Sequence, residues 1–510
     1  HTRYWRDWSS DVCSSDLRPA VPIVRRLRRS GPQRVPLAEG VVAHEGEVVL
    51  AAEARPDRDP VLPLRLAAAA AQAGLLVAPT TVDRLAREAA PMPEPWPREA
   101  RESLVSLLGA GEGLVPIWEA LDQAGLVSRW IPEWTAVRSA PQHNPVHIYR
   151  VDRHLVEAAV QASQYVRQVD RPDLLLVGSL LHDIGKAQGG DHTEIGEALV
   201  ARIAPRMGFD ADDTDVLVAL VRHHLLLPQV ATGRDLDDPA TIADVAAAVG
   251  NRRFLDLLHA LTRADAQATG PAAWSDWKRD LIADLVERVA ASLDGEIAPA
   301  APSLAGTYAD LLDAEGTQVR LLVEHPVSTV VVAADDRPGL LATIAGVLSL
   351  HRLEVKAADT QTVGDRAVTE WAVIPLFGEQ PALDLLRSDV RRALAGELDV
   401  AARISARTRP PAQARARVPA RVDFVRSASQ SADVLEVRAH DEPGLLHRIS
   451  TALAQAGAFV TAARVSTLGS EAVDVFYVRR TDGERLTPPD RAMIVAAVLE
   501  ALAEDRPDAL

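Results

Sequence analysis

Cysteine is almost missing from this chain. Cys13 is the only one in 510 residues, which excludes an intramolecular disulfide and points to a reducing, cytoplasmic location. Lysine is nearly as scarce: Lys186, Lys278 and Lys356 are three among 55 basic residues. Aromatic residues make up 4% against a hydrophobic share of 47%, so the cores must be built from Ala, Val and Leu. Positive charge does not prevail either. A net charge of −16 argues against general affinity for nucleic acid or an anionic membrane. Long uninterrupted apolar runs are also lacking. The stretch Leu62 to Pro79 carries Arg65, Gln72 and Gly74, so it is not expected to span a bilayer. No secretory signal pattern is visible.

What is present divides into segments, and the length predicts three or four domains. Residues 1–17 crowd two Trp and five Ser or Cys into a stretch without helical or strand period. They read as a non-native scar and are set aside from the fold. Residues 18–140 read as helical, over 82–90, 98–108 and 115–124, with a short hairpin over 41–51 around Glu45-Gly46. Residues 141–297 are almost wholly helical by pattern, with helices over 151–169, 172–181, 193–207, 213–227, 252–266 and 277–293. A Pro/Ala stretch at 298–302 marks a boundary.

The last third contains a repeat. At an offset of 105 without gaps, Asp336, Pro338-Gly339-Leu340-Leu341, Ile344 and Leu348 recur as Asp441, Pro443-Gly444-Leu445-Leu446, Ile449 and Leu453. Each copy reads strand, Pro-Gly turn, helix, strand, Gly turn, strand, the beginning of a βαββαβ ferredoxin-like unit. The copies are placed at 327–405 and 432–506, with 328–334 and 434–440 as their first strands. The Pro/Ala/Arg-rich link 407–421 reads as flexible.

The helical segment carries the chemistry. His182-Asp183 ends a very apolar helix and is followed by Ile184-Gly185-Lys186. A buried imidazole beside a buried carboxylate is costly unless each has a partner, and a divalent cation supplies one. His154, His182, Asp183 and Asp265, from three predicted helices, complete one metal site. His192 and His223, with His224 close by, are candidates for a second ion, a pair of ions being able to polarise a phosphoryl group together. Taken singly, each residue has a plainer reading: a lone helical His is usually structural, and His223-His224 could form a solvated corner. His143 and His147 are expected to position the first helix, and His259 to be structural. Lys186 can reach a phosphate oxygen as a point charge, or can simply stabilise a helix C-terminus.

His182-Asp-x-x-Lys186 with trailing Leu-Thr-x-Ala-Asp265 resembles the HD-domain phosphohydrolases, and the Asp-x-Pro-Gly-Leu-Leu repeats resemble ACT domains. The fold expected is therefore multidomain: an all-α HD-type metal phosphohydrolase bundle plus two α+β ferredoxin-like ACT domains. Hydrolase followed by two ACT modules resembles the C-terminal part of the bifunctional PII uridylyltransferase/uridylyl-removing enzymes. The strings carrying this are Tyr149–His154, His182–His192, Val221–Leu227 and His440–Leu446.

The resemblance implies hydrolysis of a nucleotidyl–tyrosine phosphodiester on the PII protein, uridylyl or adenylyl, with Mn²⁺ or Mg²⁺. Asp183 and Lys186 are the expected catalytic residues and glutamine the effector. Glutamine's ammonium would meet Asp336 or Asp441, and its carboxylate the helix openings after Pro338 or Pro443, with Gly339 and Gly444 among the binding residues. The second copy, with His440-Asp441-Glu442, keeps more polar groups and is the stronger candidate. One or both copies could instead only dock. In that family a nucleotidyltransferase module comes first, with a Gly-Ser turn and paired aspartates. Asp57-x-Asp59 has no Gly-Ser turn before it, so 18–140 is expected to be a remnant of that module with its linker helices, lacking the transferase site. Two other readings stay open: a stand-alone HD nucleotide or alarmone phosphohydrolase under ACT regulation, and a non-catalytic amino-acid sensor.

Overall fold

A computed structural model describes residues 34–503 apart from 143–146, 271–272, 275, 297–302, 324–326, 377–381, 408–418, 426–428, 430–431 and 469–470. The expectations for residues 1–17, His143, the 298–302 boundary and most of the 407–421 link fall outside the described residues.

The first described segment opens with β1 (Val35–Ala38), β2 (Val41–His44) and β3 (Glu47–Leu50). Glu45 and Gly46 both have positive φ, 53° and 87°, the backbone a two-residue turn needs to match strand twist, so the expected hairpin forms. Two strands were not foreseen. β1 pairs with β2, and after α1 (Leu62–Ala73) the two-residue β4 (Leu76–Val77) pairs in parallel with β3. Helices α2 (Pro79–Glu88), α3 (Arg98–Leu108), α4 (Leu114–Gln123), α5 (Leu126–Trp130) and α6 (Trp134–Val137) follow. Asp59 is engaged locally: its carboxylate accepts from the Val61 and Leu62 N–H groups and pairs with Arg65.

The bundle comprises α7 (Val151–Ala162), α8 (Pro172–Leu181), α9 (His192–Arg206), α10 (Ala211–His223), α11 (Leu226–Gly233), α12 (Pro239–Val249), α13 (Arg252–Thr269) and α14 (Asp276–Leu293). One apolar core runs from Val41 to Ala290, so the first segment and the bundle share an interior. The helix expected over 213–227 is broken. α10 stops at His223, and α11 starts at Leu226. The combined run 211–233 is apolar and long enough to pass as a membrane span by composition, although only a third of it is buried. The break turns His224 toward the interior.

Two four-residue helices, α15 (Leu304–Thr307) and α16 (Ala309–Leu312), lead into the repeat. The first copy is β5 (Gln318–Leu322), β6 (Ser328–Asp335), α17 (Leu340–Leu350), β7 (Leu353–Val363), β8 (Arg366–Pro375) and α18 (Leu383–Leu394), with an extra α19 (Val400–Arg407). The second is β9 (Arg421–Val425), β10 (Asp433–His440), α20 (Leu445–Gln455), β11 (Ala458–Leu468), β12 (Glu471–Arg480) and α21 (Pro488–Ala503). The order differs from the βαββαβ expected. The strand beside the first strand of each unit precedes it in sequence, giving ββαββα. β5 pairs antiparallel with β6, and β9 with β10. Each five-residue edge strand lies upstream of the repeated motif, where the alignment of copies had no signal. The copies join along β7 and β11, so a single sheet runs β5-β6-β8-β7-β11-β12-β10-β9.

Asp235, Tyr477 and Arg464 help dock this sheet on the bundle, and the Ser429 hydroxyl pairs with the Asp238 carboxylate beside them. The Asp235 N–H donates to the Tyr477 hydroxyl at 2.5 Å. Arg464 on β11 reaches Asp359 of β7 at 2.9 Å and Asp235 of the bundle at 3.3 Å. One guanidinium thus touches both copies and the helical domain.

Candidate metal centre

α8 begins with Pro172, whose missing N–H costs nothing in a first turn. Its residues from Leu174 to Leu181 are all buried, and it carries His182 and Asp183 to the middle of the bundle. The chain then reverses through Ala187, Gly189 and Gly190, all at positive φ. Gly185 permits the approach that follows: a Cβ there would lie 2.1 Å from the His192 carbonyl oxygen and 2.5 Å from the Gly196 nitrogen. With two glycines facing each other, the loop lies against the first turn of α9 and brings His192 over Asp183. Asp191 caps that helix by accepting from the Thr193 N–H at 2.8 Å.

Six side chains converge in two groups. His154, His182 and Asp265 form one, and Asp183, His192 and His224 the other. His154 Nε2 lies 3.0 Å from Asp265 Oδ1 and 3.3 Å from His182 Nε2. Asp183 faces both groups. Its Oδ2 is 3.4 Å from His182 Nε2, and its Oδ1 is 3.6 Å from the Nε2 atoms of both His192 and His224. Backbone carbonyls orient two of the rings. His182 Nδ1 lies 2.8 Å from the Ser179 oxygen and His224 Nδ1 2.6 Å from that of Val221. Donation there leaves each Nε2 lone pair for a ligand.

The electrostatics fit a cation. Asp183 Oδ1 and His154 Nδ1 are buried without a hydrogen-bond partner. Burial alone would lower the pKa of His182, but Asp183 and Asp265 override it and hold the imidazolium up to about 10. Burial likewise opposes ionisation of both carboxyls, and the neighbouring imidazoles hold them well below the usual range. The two buried carboxylates thus draw positive charge into the cluster, and a divalent ion bound by these nitrogen and oxygen atoms would supply it in place of the His182 proton.

All five of the expected histidine and aspartate ligands outside the His223-His224 pair are brought together: His154, His182, Asp183, Asp265 and His192. His223 is a correction. It stays on the helical side of the break, with its ring edge-on to Phe254 at 6.2 Å, while His224 joins the second group. In a continuous helix neighbouring residues point about 100° apart, so only one of the pair can face inward. Lys186 Nζ lies 2.5 Å from Asp183 Oδ2. His147 is closer to the site than expected, its ring 5.3 Å from that of His154; burial and the nearby Lys186 push its pKa down to about 4. Its loop position gave no periodic signal. His259 lies outside both groups. A cavity of about 510 Å³ opens beside His192, lined by Asp191, Thr193, Arg222, His223, Leu226 and Gln229 among others.

A family model for the HD domain matches residues 151–251, and one for the ACT domain matches residues 434–488; the first copy repeats the strand and helix order of the second. Three relatives are each named a bifunctional uridylyltransferase/uridylyl-removing enzyme. The protein of Streptomyces coelicolor is 46% identical over 97% of this chain and 66% of its own length. That of Mycobacterium tuberculosis is 43% identical over 88% and 57%, and that of Gluconobacter oxydans 34% over 74% and 47%. The chain thus spans about half to two thirds of the length of these relatives.

Proposed function

Since this chain belongs to the family of bifunctional uridylyltransferase/uridylyl-removing enzymes, we propose that its HD domain removes a uridylyl group from a tyrosine of the PII signal protein. The observation carrying this reading is Asp183, which presents one oxygen to each of two imidazole groups beside a cavity. A divalent pair held there, Mn²⁺ or Mg²⁺, would neutralise phosphoryl oxygens and acidify water.

The chain's own residues supply the rest. Ser179 and Val221 fix the rings of His182 and His224 through their carbonyls. Lys186, a fifth exposed, is placed to meet a non-bridging phosphate oxygen as a point charge. The cavity beside His192 is within the size range of pockets for drug-sized ligands, roughly 300–1,000 Å³. In the net reaction a water oxygen bonds to phosphorus, the bond from phosphorus to the tyrosine oxygen breaks, and the phenol leaves with a proton. Glutamine acting on the ACT pair is the proposed stimulus. Transfer is not assigned to Asp57 or Asp59, because Asp59 serves as a local cap and ion-pair partner.

The test is mass spectrometry of uridylylated PII incubated with this protein, Mn²⁺ and glutamine. Loss of one nucleotide, dependent on the added ion, is expected. Unchanged substrate under all ion conditions would sink the proposal, and a gain of one nucleotide by unmodified PII with UTP would overturn the assignment of removal alone.

A further inference from the structure

Five imidazoles run through the bundle in one row, each ring edge-on to the next. The successive centroid distances are 5.3 Å from His147 to His154, 5.2 Å on to His182, 5.5 Å to His224 and 5.6 Å to His192. Four of these rings belong to the two ligand groups, and His147, at one end, lies outside both. At the other end the cavity lined by Arg222 and Gln229 opens beside His192.

Backbone bonds fix the chain just after His147. The Ile148 N–H donates to the Thr269 carbonyl at the end of α13, at 3.1 Å, and the Val151 N–H to that of Ala140 at 3.0 Å. His154 and His182 are fully buried, whereas His147 and Lys186 are partly exposed. This end of the row is therefore one where a substrate group can enter. The adjoining Ile148 is 59% exposed, apolar surface that an incoming aromatic ring would cover. Burial and the nearby Lys186 keep the His147 ring neutral. Its Nδ1 is buried without a hydrogen-bond partner. A proton there would leave a buried donor unsatisfied, so the neutral ring carries its proton on Nε2.

We propose that His147 is a further catalytic residue, whose Nε2–H donates a hydrogen bond to the bridging oxygen of the leaving tyrosine. This rests on the reading of the protein as a uridylyl-removing enzyme, with the nucleotide in the cavity at the His192 end. The two ester groups on one phosphorus point apart, so a nucleotide held there directs the tyrosine toward the His147 end. A water oxygen bonds to phosphorus, and the electron pair of the breaking bond goes to the tyrosine oxygen. That oxygen accepts the hydrogen bond as its charge builds, and the proton of the attacking water ends on the phenol. His147 keeps its own proton throughout and acts as a neutral donor. The bond strengthens as charge develops, the condition under which an interaction raises rate. Losing a hydrogen bond to a charged oxygen costs about 10- to 150-fold.

Cleavage of two aryl esters of uridine monophosphate by the full chain tests this. The phenyl ester has a leaving group about as weakly acidic as tyrosine, with a pKa of about 10; the nitrophenyl ester has a far more acidic one that leaves without help. His147→Leu is expected to lose about 10- to 150-fold in kcat on the phenyl ester and on uridylylated PII. It should lose little on the nitrophenyl ester and keep its metal content. His147→Gln, whose amide can place an N–H near that of Nε2, should restore part of the phenyl-ester rate. Circular dichroism checks the fold of both. In metal-free protein, nitrogen NMR of isotope-labelled histidine should find Nδ1 unprotonated, the signal being assigned by its absence in His147→Leu. Equal losses on the two esters, loss of metal in His147→Leu, or a protonated Nδ1 would each overturn the inference. Cleavage of both esters by a wild type that leaves uridylylated PII untouched counts against the proposed substrate alone, since the two esters still compare. Cleavage of uridylylated PII that His147→Leu leaves unchanged counts against His147 alone. A wild type inert toward all three substrates would overturn both.

Discussion

At Asp183 two half-sites share one side chain, so a single isosteric change should disable both. Asp183→Asn is expected to leave the fold intact while metal content falls below one ion per chain. Hydrolysis should drop more than a hundredfold, since even outer-shell partners typically cost about 10- to 100-fold; metal analysis with a phosphodiesterase assay checks both. The His pair gives a sharper contrast. His224→Ala should lose about one ion per chain, and His223→Ala should keep its full metal content, because the His223 ring packs on Phe254 instead. Equal losses in the two would return His223 to the ligand set. Much of this centre was legible in sequence because His154, His182-Asp183 and Asp265 fall on or just after three separately patterned helices, the one before His182 being almost wholly apolar. The choice between adjacent histidines was not, since it depends on where α10 breaks, and neither was His147, which a loop of no periodicity brings against His154.

Among elements, β12 shows how a strand can hold an ionisable group against its nature. Asp474 lies fully buried on it; burial first, and then the nearby Asp441, push its carboxyl up to about 8, with Lys356 pulling the other way. The native chain therefore keeps a proton that the unfolded chain releases near pH 4. By linkage this residue's contribution to stability falls as pH rises from about 4 to about 8, and is level beyond. Asp474→Asn should remove that slope, gaining stability over wild type at pH 9 by a few kcal/mol, at about 1.4 kcal/mol per pKa unit, and little at pH 5. Melting curves at the two values check it, and equal differences at both would show the carboxyl ionised in the fold. The long strands and the helices after each Pro-Gly turn were readable from their period and repetition. β1, β4, β5 and β9 were not. Each is five residues or fewer, too short to show alternation, and is a strand only because a neighbour offers an edge.

Across the whole molecule, Arg464 ties both repeated units to the helical bundle. Its guanidinium is mostly buried between Asp359 of the first copy and Asp235 of the bundle. Removing one member of such a buried cluster typically costs about 3–5 kcal/mol. Arg464→Met is expected to raise hydrogen exchange in β7, β11 and residues 234–238, and to shrink any glutamine response at least fivefold, within the roughly 5- to 150-fold range of such couplings. Basal hydrolysis should persist. A full response in that variant would place the coupling elsewhere. Nothing in the sequence marked this junction, because its three residues are brought together only by the docking of separately patterned units.

The upstream position of β5 and β9 has a consequence in time. A ribosome delivers each outermost strand before its neighbour, so β6 and β10 can close as hairpins with β5 and β9 while the rest of the unit is still being made. Had that strand come last, an open edge would wait through the synthesis of the whole unit, inviting pairing with another chain. One edge cannot be covered this way. β7 must wait for β11, and during that interval a neighbouring nascent chain on the same message presents an equivalent strand. Exchange of second copies between chains, giving a swapped dimer, is thus the assembly error to which this order of synthesis leaves the protein most open.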